Sequence, residues 1–238
     1  LTQVRLSQSF LEFTKKVSER YIANQTSILS ACLPSFTKVM STSLDASTLH
    51  RSKSSKPARR LFLLSRLEAV ESRVVGHIKE RKGLNLLVIL PTQREIERVV
   101  KALGEMEQQV IEIGSHLTSS QRRKNFELAA TATSTIVIGT RSAIMAPMAH
   151  IDEILIAEES VEHFQEQKAP YWNVRDMALL RSESEHCSIT FISHSISLEL
   201  ARLVEIGWIS ATSERKFLGG HRANIATEPN SYHDTIRK

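Results

Sequence analysis

The sequence predicts an α/β fold, a parallel β-sheet with helices on both faces. Two observations carry this prediction. Short apolar runs, such as residues 84–90 and 188–192, have the composition of strands that are buried on both faces. Between such runs lie stretches with helical spacing, so that strands and helices alternate from Leu61 onward. This alternation is typical of parallel sheets with right-handed crossovers, and we expect one RecA-like or Rossmann-like layer.

The individual elements follow from the spacing of apolar residues and from the residues that interrupt it. A predicted helix over 66–82 ends at Gly83, and the apolar strand 84–90 follows it. The stretch 94–106 carries apolar residues at intervals of three and four, which predicts an amphipathic helix. The remaining predicted elements are a strand over 110–113, a helix over 119–130, strands over 135–138 and 153–156, a helix over 175–181 and the strand 188–192.

The chain divides into four predicted segments. Residues 1–40 form a helical segment, closed near Pro34, whose apolar face needs a partner. Residues 41–60 are rich in Ser, Lys and Arg and are typical of a flexible basic linker. Residues 61–218 form the α/β layer. Residues 219–238 are polar, lack periodicity and are predicted to form a loose tail.

The composition is that of a basic protein without a membrane segment. The 238 residues include 31 Lys and Arg against 26 Asp and Glu, a net charge of +5 that favours polyanionic partners. The two cysteines, Cys32 and Cys187, form no CxxC pair, which argues against a disulfide framework and suits a reducing compartment. No apolar run reaches the roughly 20 residues that span a bilayer. We therefore expect a cytoplasmic protein with no membrane partner, and the initial Leu1 suggests a fragment or an unusual start.

Four motifs occur in order along the α/β layer. They are Gly-Thr-Arg-Ser-Ala with Ala-Pro over 139–147, Ala-Glu-Glu-Ser over 157–160, a stretch over 169–176 that ends in Arg-Asp, and a Ser-rich stretch over 193–199. In these motifs the chain resembles the first helicase lobe of the PriA family of primosomal replication-restart proteins, also called primosomal protein N-prime. The likeness covers roughly residues 61–208, and the opening helix is similar to the end of that family's amino-terminal DNA-binding region. The resemblance implies that 61–218 is a degenerate RecA-like helicase lobe 1.

The phosphate-binding loop of the family is missing. An ATP-driven motor of this kind needs a Gly-rich turn whose N–H groups surround the phosphates, and a Lys on the β and γ oxygens. The family places this loop just before the helix that precedes strand 84–90. Residues 61–73 contain neither Gly nor Lys, and their side chains would crowd and repel a triphosphate.

The second motif departs from the family in the same direction. Where the family has Asp-Glu-Glu-His, this chain has Ala157, Glu158, Glu159 and Ser160, a degenerate Walker B motif. The aspartate that would hold magnesium is replaced by Ala157, while Glu158, which could orient water, remains. The fourth motif has lost its glycine, here Ile192. The resemblance therefore implies the motor-deficient branch of the family, with no catalytic residues, no ATP or magnesium cofactor and no enzyme activity.

The candidate DNA-binding residues are basic, because mobile cations are sufficient to contact a phosphate backbone. For Arg141 the alternative is a structural pair with Glu158 or Asp176. For Arg175 a capping and packing role beside Asp176 is favoured over DNA contact. The candidates are Arg51, Lys53, Lys56, Arg59 and Arg60 in the linker, with Arg141 and Arg175 at the sheet edge.

Aromatic and metal-binding residues give weaker signals. A nucleic-acid base could stack on Tyr171 or Trp172, although such a pair more often seals a loop onto the core. The histidines show no metal-ligand spacing, so we assign no metal. The resemblance places the family's zinc-binding cysteines beyond the last residue of this chain, and we expect no zinc.

Three hypotheses for function remain open on the sequence. The first is a PriA-like replication-restart protein that binds forked or single-stranded DNA, assembles primosome proteins and does not unwind DNA. The second is a DNA-dependent ATPase and 3′–5′ DNA helicase of superfamily 2 with an unusual nucleotide site. The third is a truncated remnant with no activity by itself.

Overall fold

The computed structural model describes residues 2–33, 37–41 and 57–213 of the chain. The strands in these ranges are β1 (Thr2–Leu6), β2 (Thr37–Ser41), β3 (Arg59–Leu63), β4 (Leu86–Ile89), β5 (Gln109–Ile113), β6 (Thr135–Gly139), β7 (Glu153–Ala157), β8 (Ser188–Ser193) and β9 (Ser210–Ser213). The helices are α1 (Gln8–Arg20), α2 (Gln25–Cys32), α3 (Val70–Glu80), α4 (Gln93–Leu103), α5 (Ser119–Thr131), α6 (Val174–Glu185) and α7 (Leu198–Glu205), with short 3₁₀ turns at Arg141–Met145 and Glu162–Phe164.

Seven strands form one sheet, in the order β5-β6-β4-β7-β8-β3-β9. Every neighbouring pair in this sheet is parallel. Helices α3 and α4 cover one face, and α5, α6 and α7 cover the other. This arrangement confirms the predicted α/β, RecA-like fold class. In the described ranges, no helix is both long and apolar enough to cross a membrane.

The central strands are almost completely buried because both of their faces are covered. Leu87 and Ile89 of β4 pack into the cluster on the α6 face, whereas Leu86 and Val88 pack into the cluster on the α3 face. All four side chains have no exposed surface. Alternate side chains of a strand point to opposite faces of the sheet, so one apolar run contributes to both hydrophobic clusters.

The helices that follow β4 and β5 begin at capping boxes. The Thr92 hydroxyl accepts a hydrogen bond from the Glu95 N–H, and the Glu95 carboxylate accepts one from the Thr92 N–H at 2.8 Å. Thr118 and Gln121 repeat this exchange at the start of α5. Each box satisfies amide groups that have no partner inside the helix, which fixes where the helix begins.

Several boundaries differ from the sequence predictions. The predicted linker extends to residue 60, but Arg59 and Arg60 lie in β3, where they begin a sheet strand. The helix predicted to begin at residue 66 begins at Val70, because 64–69 is a loop. The chain from 1–40 also contains two short strands, β1 and β2, which pair with each other in parallel. Residues 42–56 of the predicted linker and the predicted tail over 219–238 lie outside the described residues, and α7 and β9 were not predicted.

Helix α1 is part of the same core as the α/β layer. It runs antiparallel to α6, with Lys16 3.5 Å from Glu183 and Arg20 3.1 Å from Asp176. The apolar face predicted from the spacing of its apolar residues packs against α6, and Phe13 is fully buried there. The partner that this face needed is therefore the α/β layer itself.

A buried arginine joins α1 to α6. Arg181 has no exposed side-chain surface, donates to Glu185 Oε1 at 2.7 Å, and donates to the backbone carbonyls of Ile144 and Ala146 at 2.6 and 2.8 Å. Its guanidinium carbon lies 5.2 and 5.5 Å from the ring centres of Phe10 and Phe13. A charge held in this way is tolerated because each donor group has a partner.

A second buried charge lies at the amino edge of the sheet, where β7 begins. The Glu153 side chain is 3% exposed and accepts hydrogen bonds from His77 Nε2 at 3.1 Å, from Arg81 Nε at 3.0 Å and from the Thr190 hydroxyl. Arg60 lies 3.6 Å away. Burial alone would raise the pKa of this carboxyl, but the hydrogen bonds from His77 and Thr190, with the help of Arg81, lower the pKa to about 2.

This depressed pKa predicts a pH-dependent stability. A carboxyl whose pKa is about 2 in the folded protein and 4.5 in the unfolded chain stabilises the fold by about 3 kcal/mol at neutral pH. This contribution of Glu153 to the free energy of unfolding is complete above about pH 4.5 and is lost as the pH falls towards 2. Urea unfolding at successive pH values should show this loss in the wild type and not in Glu153→Gln. The exposed Glu107→Gln is the control, and an unchanged pH profile in Glu153→Gln would refute the assignment.

The Arg181 pair predicts a strongly non-additive pair of substitutions. Arg181→Met should lower the free energy of unfolding by about 3–5 kcal/mol, because it leaves the Glu185 carboxylate buried without a cation. The double variant Arg181→Met, Glu185→Leu should recover most of that loss. Denaturant melts of the two single variants and the double variant measure the coupling, and simple additivity would contradict the structure.

Candidate functional site at the carboxyl edge of the sheet

All the motif residues that carry the family resemblance meet at one edge of the sheet, because parallel strands end on the same side. The loop 64–69 follows β3, the 3₁₀ turn Arg141–Met145 follows β6, Glu158 and Glu159 follow β7, and His194 follows β8. Strands β3, β8 and β7 are neighbours, so three of these connections lie side by side. In a RecA-like sheet this is the edge where a nucleotide would be bound.

The β3–α3 loop carries a side chain at each of its six positions and has no glycine. It is short and turned, with the Glu68 N–H donating to the Ser65 carbonyl at 3.2 Å and the Leu64 N–H donating to the Ser193 carbonyl at 2.9 Å. Its tip exposes Leu67, which is 99% accessible. The cap residue of α3 is Ala69, which provides no side-chain hydrogen bond. The loop therefore presents Cβ atoms and an apolar tip where a phosphate-binding turn presents N–H groups.

His194 joins this loop to Glu158. One ring nitrogen, Nε2, lies 2.8 Å from the Glu68 carbonyl oxygen, and the other, Nδ1, lies 2.5 Å from Glu158 Oε1. The other carboxylate oxygen, Glu158 Oε2, accepts from the Ser193 hydroxyl at 2.9 Å. Hydrogen bonds across the edge thus connect the loop after β3 to the ends of β7 and β8.

Both ring nitrogens of His194 are in hydrogen-bond contact, one with a backbone carbonyl oxygen and the other with a carboxylate oxygen. The sequence analysis did not assign His194 a role. The available signal was its position, since His194 and Glu158 each directly follow a buried strand of a predicted parallel sheet.

Ala157 lies in an apolar environment. Its side chain is 1% exposed and packs in the cluster on the α3 face together with Ile192. A methyl group cannot ligate a metal ion. Within the described part of the chain, no group of three His, Cys, Asp or Glu side chains is placed to hold a metal.

Glu159 and Arg175 form a buried framework beneath the edge. Glu159 is 1% exposed and accepts from the Ser197 N–H at 2.6 Å and the Ser197 hydroxyl at 3.0 Å. The Arg175 guanidinium lies 3.4 Å from Glu159, 3.2 Å from Asp176 and 3.4 Å from Glu199. These contacts link the end of β7 to the starts of α6 and α7, which supports the packing role for Arg175.

Arg141 holds a loop rather than either of the carboxylates named in the sequence analysis. It donates to the backbone carbonyls of Gln165 at 2.7 Å and His163 at 3.3 Å, and pairs with Glu166 at 3.3 Å. These partners differ from Glu158 and Asp176, the two carboxylates predicted for a structural arginine at this position. The difference arises because the chain after β7 folds back over the 3₁₀ turn.

The glycine that opens the Gly-Thr-Arg motif is required by a close backbone approach. A Cβ atom at Gly139 would overlap the carbonyl oxygen of Ile113 in the neighbouring strand and would meet the Ala143 Cβ at 2.6 Å. Gly139 therefore lets β6 end tightly against β5, which sets the position of the 3₁₀ turn and of Arg141.

The paired aromatics separate into two environments. Trp172 is 8% exposed and belongs to the main core cluster, so that it seals the loop onto the lobe. Tyr171 is 62% exposed and has a left-handed backbone conformation with φ of 55°. Tyr171 is thus the member of the pair that is available to a partner.

The predicted basic residues do not form one patch. Arg141 and Arg175 lie at the carboxyl edge, whereas Arg59 and Arg60 begin β3 and so lie at the amino edge. The other three candidates, Arg51, Lys53 and Lys56, lie outside the described residues.

Sequence comparison gives consistent relatives over about half of the chain. Over 130 residues, 54% of this chain and 20% of the relative, the sequence is 28% identical to the probable replication restart protein PriA of Mycobacterium tuberculosis (strain CDC 1551 / Oshkosh). The chain is PriA-like. It is also 29% identical over 131 residues to the replication restart protein PriA of Haemophilus influenzae and 32% identical over 123 residues to that of Synechocystis sp..

These alignments cover only a small part of each relative. The shares are 53% of this chain and 18% of the Haemophilus influenzae protein, and 50% of this chain and 14% of the Synechocystis protein. The PriA-like chain therefore spans a fifth or less of the relatives it matches. No family model matches it.

Solved structures with partial similarity to this chain include two DEAD-box proteins. The C-terminal domain of the DEAD-box protein Dbp5 has a TM-score of 0.47 at 13% identity, covering 66% of this chain and 90% of that domain. A DEAD box protein from the hyperthermophile Methanococcus jannaschii has a TM-score of 0.47 at 12% identity, covering 90% of this chain and 60% of that one. The fold assignment rests on the strand order of the chain itself.

The close approach at Gly139 predicts opposite effects for two Gly→Ala substitutions. Gly139→Ala should destabilise the protein by about 1–3 kcal/mol, since the overlap with Ile113 involves backbone that cannot rotate away. Gly76→Ala, in the interior of α3, should stabilise it by roughly 0.5–1 kcal/mol, because a Cβ there meets no atom within 4 Å. Thermal or denaturant melts distinguish the two, and equal effects would contradict the packing described.

Proposed function

We propose that this PriA-like chain acts in replication restart as a DNA-binding protein that recognises stalled or branched forks, provides a surface for primosome proteins and has no ATPase or helicase activity of its own. The observation that carries the proposal is the β3–α3 loop. It occupies the position of a phosphate-binding turn, has neither glycine nor lysine, and is hydrogen-bonded to the Glu158–His194 pair.

The chemistry at the edge supports the absence of ATP hydrolysis. Both Glu158 carboxylate oxygens already accept hydrogen bonds, from His194 and from Ser193. A general base must be free to accept a proton from water, and a magnesium site needs an oxygen ligand where Ala157 stands. The altered loop, the missing metal ligand and the engaged Glu158 carboxylate support the proposal that this edge does not bind and activate a triphosphate.

The charge of the chain supports binding to DNA. The net charge is +5, and five basic residues are concentrated between positions 51 and 60. Such a segment can contact a phosphate backbone without reading its sequence, so that the structure of the DNA, rather than its base composition, would determine binding.

Exposed apolar side chains support a role in assembly. Four large ones lie at the carboxyl edge: Leu67 at 99% exposure, Ile22 at 95%, Leu198 at 88% and Tyr171 at 62%. Leu67 and Leu198 follow the adjacent strands β3 and β8, while Ile22 and Tyr171 flank the Arg20–Asp176 contact between α1 and α6. Exposed apolar groups gathered at one edge are typical of protein–protein contact sites.

The DNA-binding part of the proposal predicts a salt-sensitive gel shift. The protein should retard forked DNA at low ionic strength, and between 50 and 200 mM salt its affinity should fall roughly 100-fold to 1000-fold if four or five phosphates are contacted. The triple variant Arg51→Gln, Lys53→Gln, Lys56→Gln should bind more weakly and with a shallower salt dependence. The control Lys79→Gln, Lys101→Gln, Lys124→Gln removes the same charge from exposed helix surfaces. No retardation of any DNA by the wild type would refute the proposal.

The motor-deficient part is tested with the same protein. Phosphate release from ATP in the presence of forked or single-stranded DNA should stay at the rate of a blank. Turnover that Glu158→Gln abolishes would overturn the proposal and would establish the alternative, a DNA-dependent ATPase with an unusual nucleotide site.

A further inference from the structure

A shallow groove lies at the amino edge of the sheet, on the opposite side from the family motifs. It has a volume of about 390 Å³ and lies where β3 and the edge strand β9 begin. Its lining includes Pro57, Arg59, Arg60, Trp208, Ser210 and Thr212. Two cations, an indole and two hydroxyls thus line one open surface.

Arg59 and Trp208 form the fixed part of this groove. The Arg59 guanidinium carbon lies 3.8 Å from the centre of the Trp208 ring, which holds the planar group in one orientation. Among the described residues, no carboxylate lies within ion-pair distance of the Arg59 guanidinium, and no hydrogen bond is donated by that guanidinium. An arginine that is stacked on one face and unpaired at its edge is arranged to receive a planar or anionic group.

The second part of the groove is polar and belongs to the edge of the sheet. Arg60 pairs in register with Ser210, and Phe62 pairs with Thr212, so that Arg60 and the two hydroxyl residues share one face. Arg59, one residue earlier, lies on the other face with Trp208, so the groove wraps around the open edge of the sheet. Ser210 and Thr212 are exposed. Arg60 is partly neutralised by Glu153 at 3.6 Å, which leaves Arg59 as the principal cation of the groove.

Further positive charge directly precedes the groove residues in the sequence. Lys56 is bonded to Pro57, which lines the groove, and Arg51 and Lys53 precede it by a few residues. The basic run and the groove are therefore continuous along the chain.

We infer that this groove binds the backbone of single-stranded nucleic acid, with Arg59 as its main phosphate contact. The inference rests on the proposed DNA-binding function and names a contact for it on the edge away from the helicase motifs. A shallow, open, polar groove suits an extended polymer better than a small molecule that must be enclosed. Arg59 donates to a phosphate oxygen on one side of the sheet edge, and the hydroxyls of Ser210 and Thr212 donate on the other side to a backbone that crosses this edge. A base can stack on the guanidinium face that Trp208 leaves open.

Fluorescence anisotropy tests this site with a fluorescein-labelled oligothymidylate. The oligonucleotide has about 20 nucleotides, which is longer than the site of one binding module. Arg59→Ala should weaken binding about tenfold and should reduce the slope of affinity against salt by about one phosphate contact. Arg123→Ala removes one exposed arginine from α5 and should change affinity less than twofold, within the range of a charge that makes no contact.

A second pair of variants keeps the test valid if Arg59→Ala unfolds. Ser210→Glu adds a negative charge to the groove at an exposed position and should weaken binding by a similar factor. Thr133→Glu places the same charge on an exposed hydroxyl residue at the far side of the sheet and should leave binding unchanged.

Three results would overturn the inference. If Arg59→Ala and Ser210→Glu bind the oligonucleotide as the wild type does, while the wild type still retards forked DNA, the groove is not the site and the proposed function stands. If the wild type binds no DNA, both fail. If Arg59-dependent binding is seen with polyglutamate and not with the oligonucleotide, the groove takes an acidic peptide instead.

Discussion

A fully parallel sheet forces all of its strands to end at one edge, and the rest of this molecule depends on that constraint. Because both faces must be covered by helices, the central strands β4, β6, β7 and β8 are buried over almost their whole length. Charged side chains therefore lie at the two ends of the strands. At the carboxyl edge they are Glu158 and His194, and at the amino edge they are Glu153 and the cations around it.

The carboxyl edge shows how buried charges and their partners hold neighbouring loops in place. The Glu158 carboxylate is satisfied by His194 and Ser193, and Glu159 is satisfied by Arg175 and Ser197. Buried or half-buried carboxylates are costly unless such partners are present. The partners come from three neighbouring connections, so the same interactions that satisfy the charges also fix the loops relative to one another.

How much the sequence could predict differs between elements for physical reasons. The strands 135–139, 153–157 and 188–193 were predicted nearly to the residue, because a run buried on both faces has an unmistakable composition. Strand β9 was missed, since its residues Ser-Ala-Thr-Ser carry no apolar signal at a sheet edge. Arg59 and Arg60 resembled a linker because the side chains that accommodate them, Trp208 and Glu153, are distant in sequence. For the same reason the partners of Arg141 and His194 could not be read from spacing, whereas the missing glycine and lysine of the nucleotide loop could.

The contact between α1 and α6 has a consequence for where this lobe could be cut. Phe10 and Phe13 cover a guanidinium that is otherwise sealed inside the protein. A fragment that began at β3 would expose Arg181 and Glu185 to water. It would also expose the surface of α6 that Phe10 and Phe13 cover. The smallest fragment that keeps this core closed therefore includes the leading helix α1 together with the sheet and its helices.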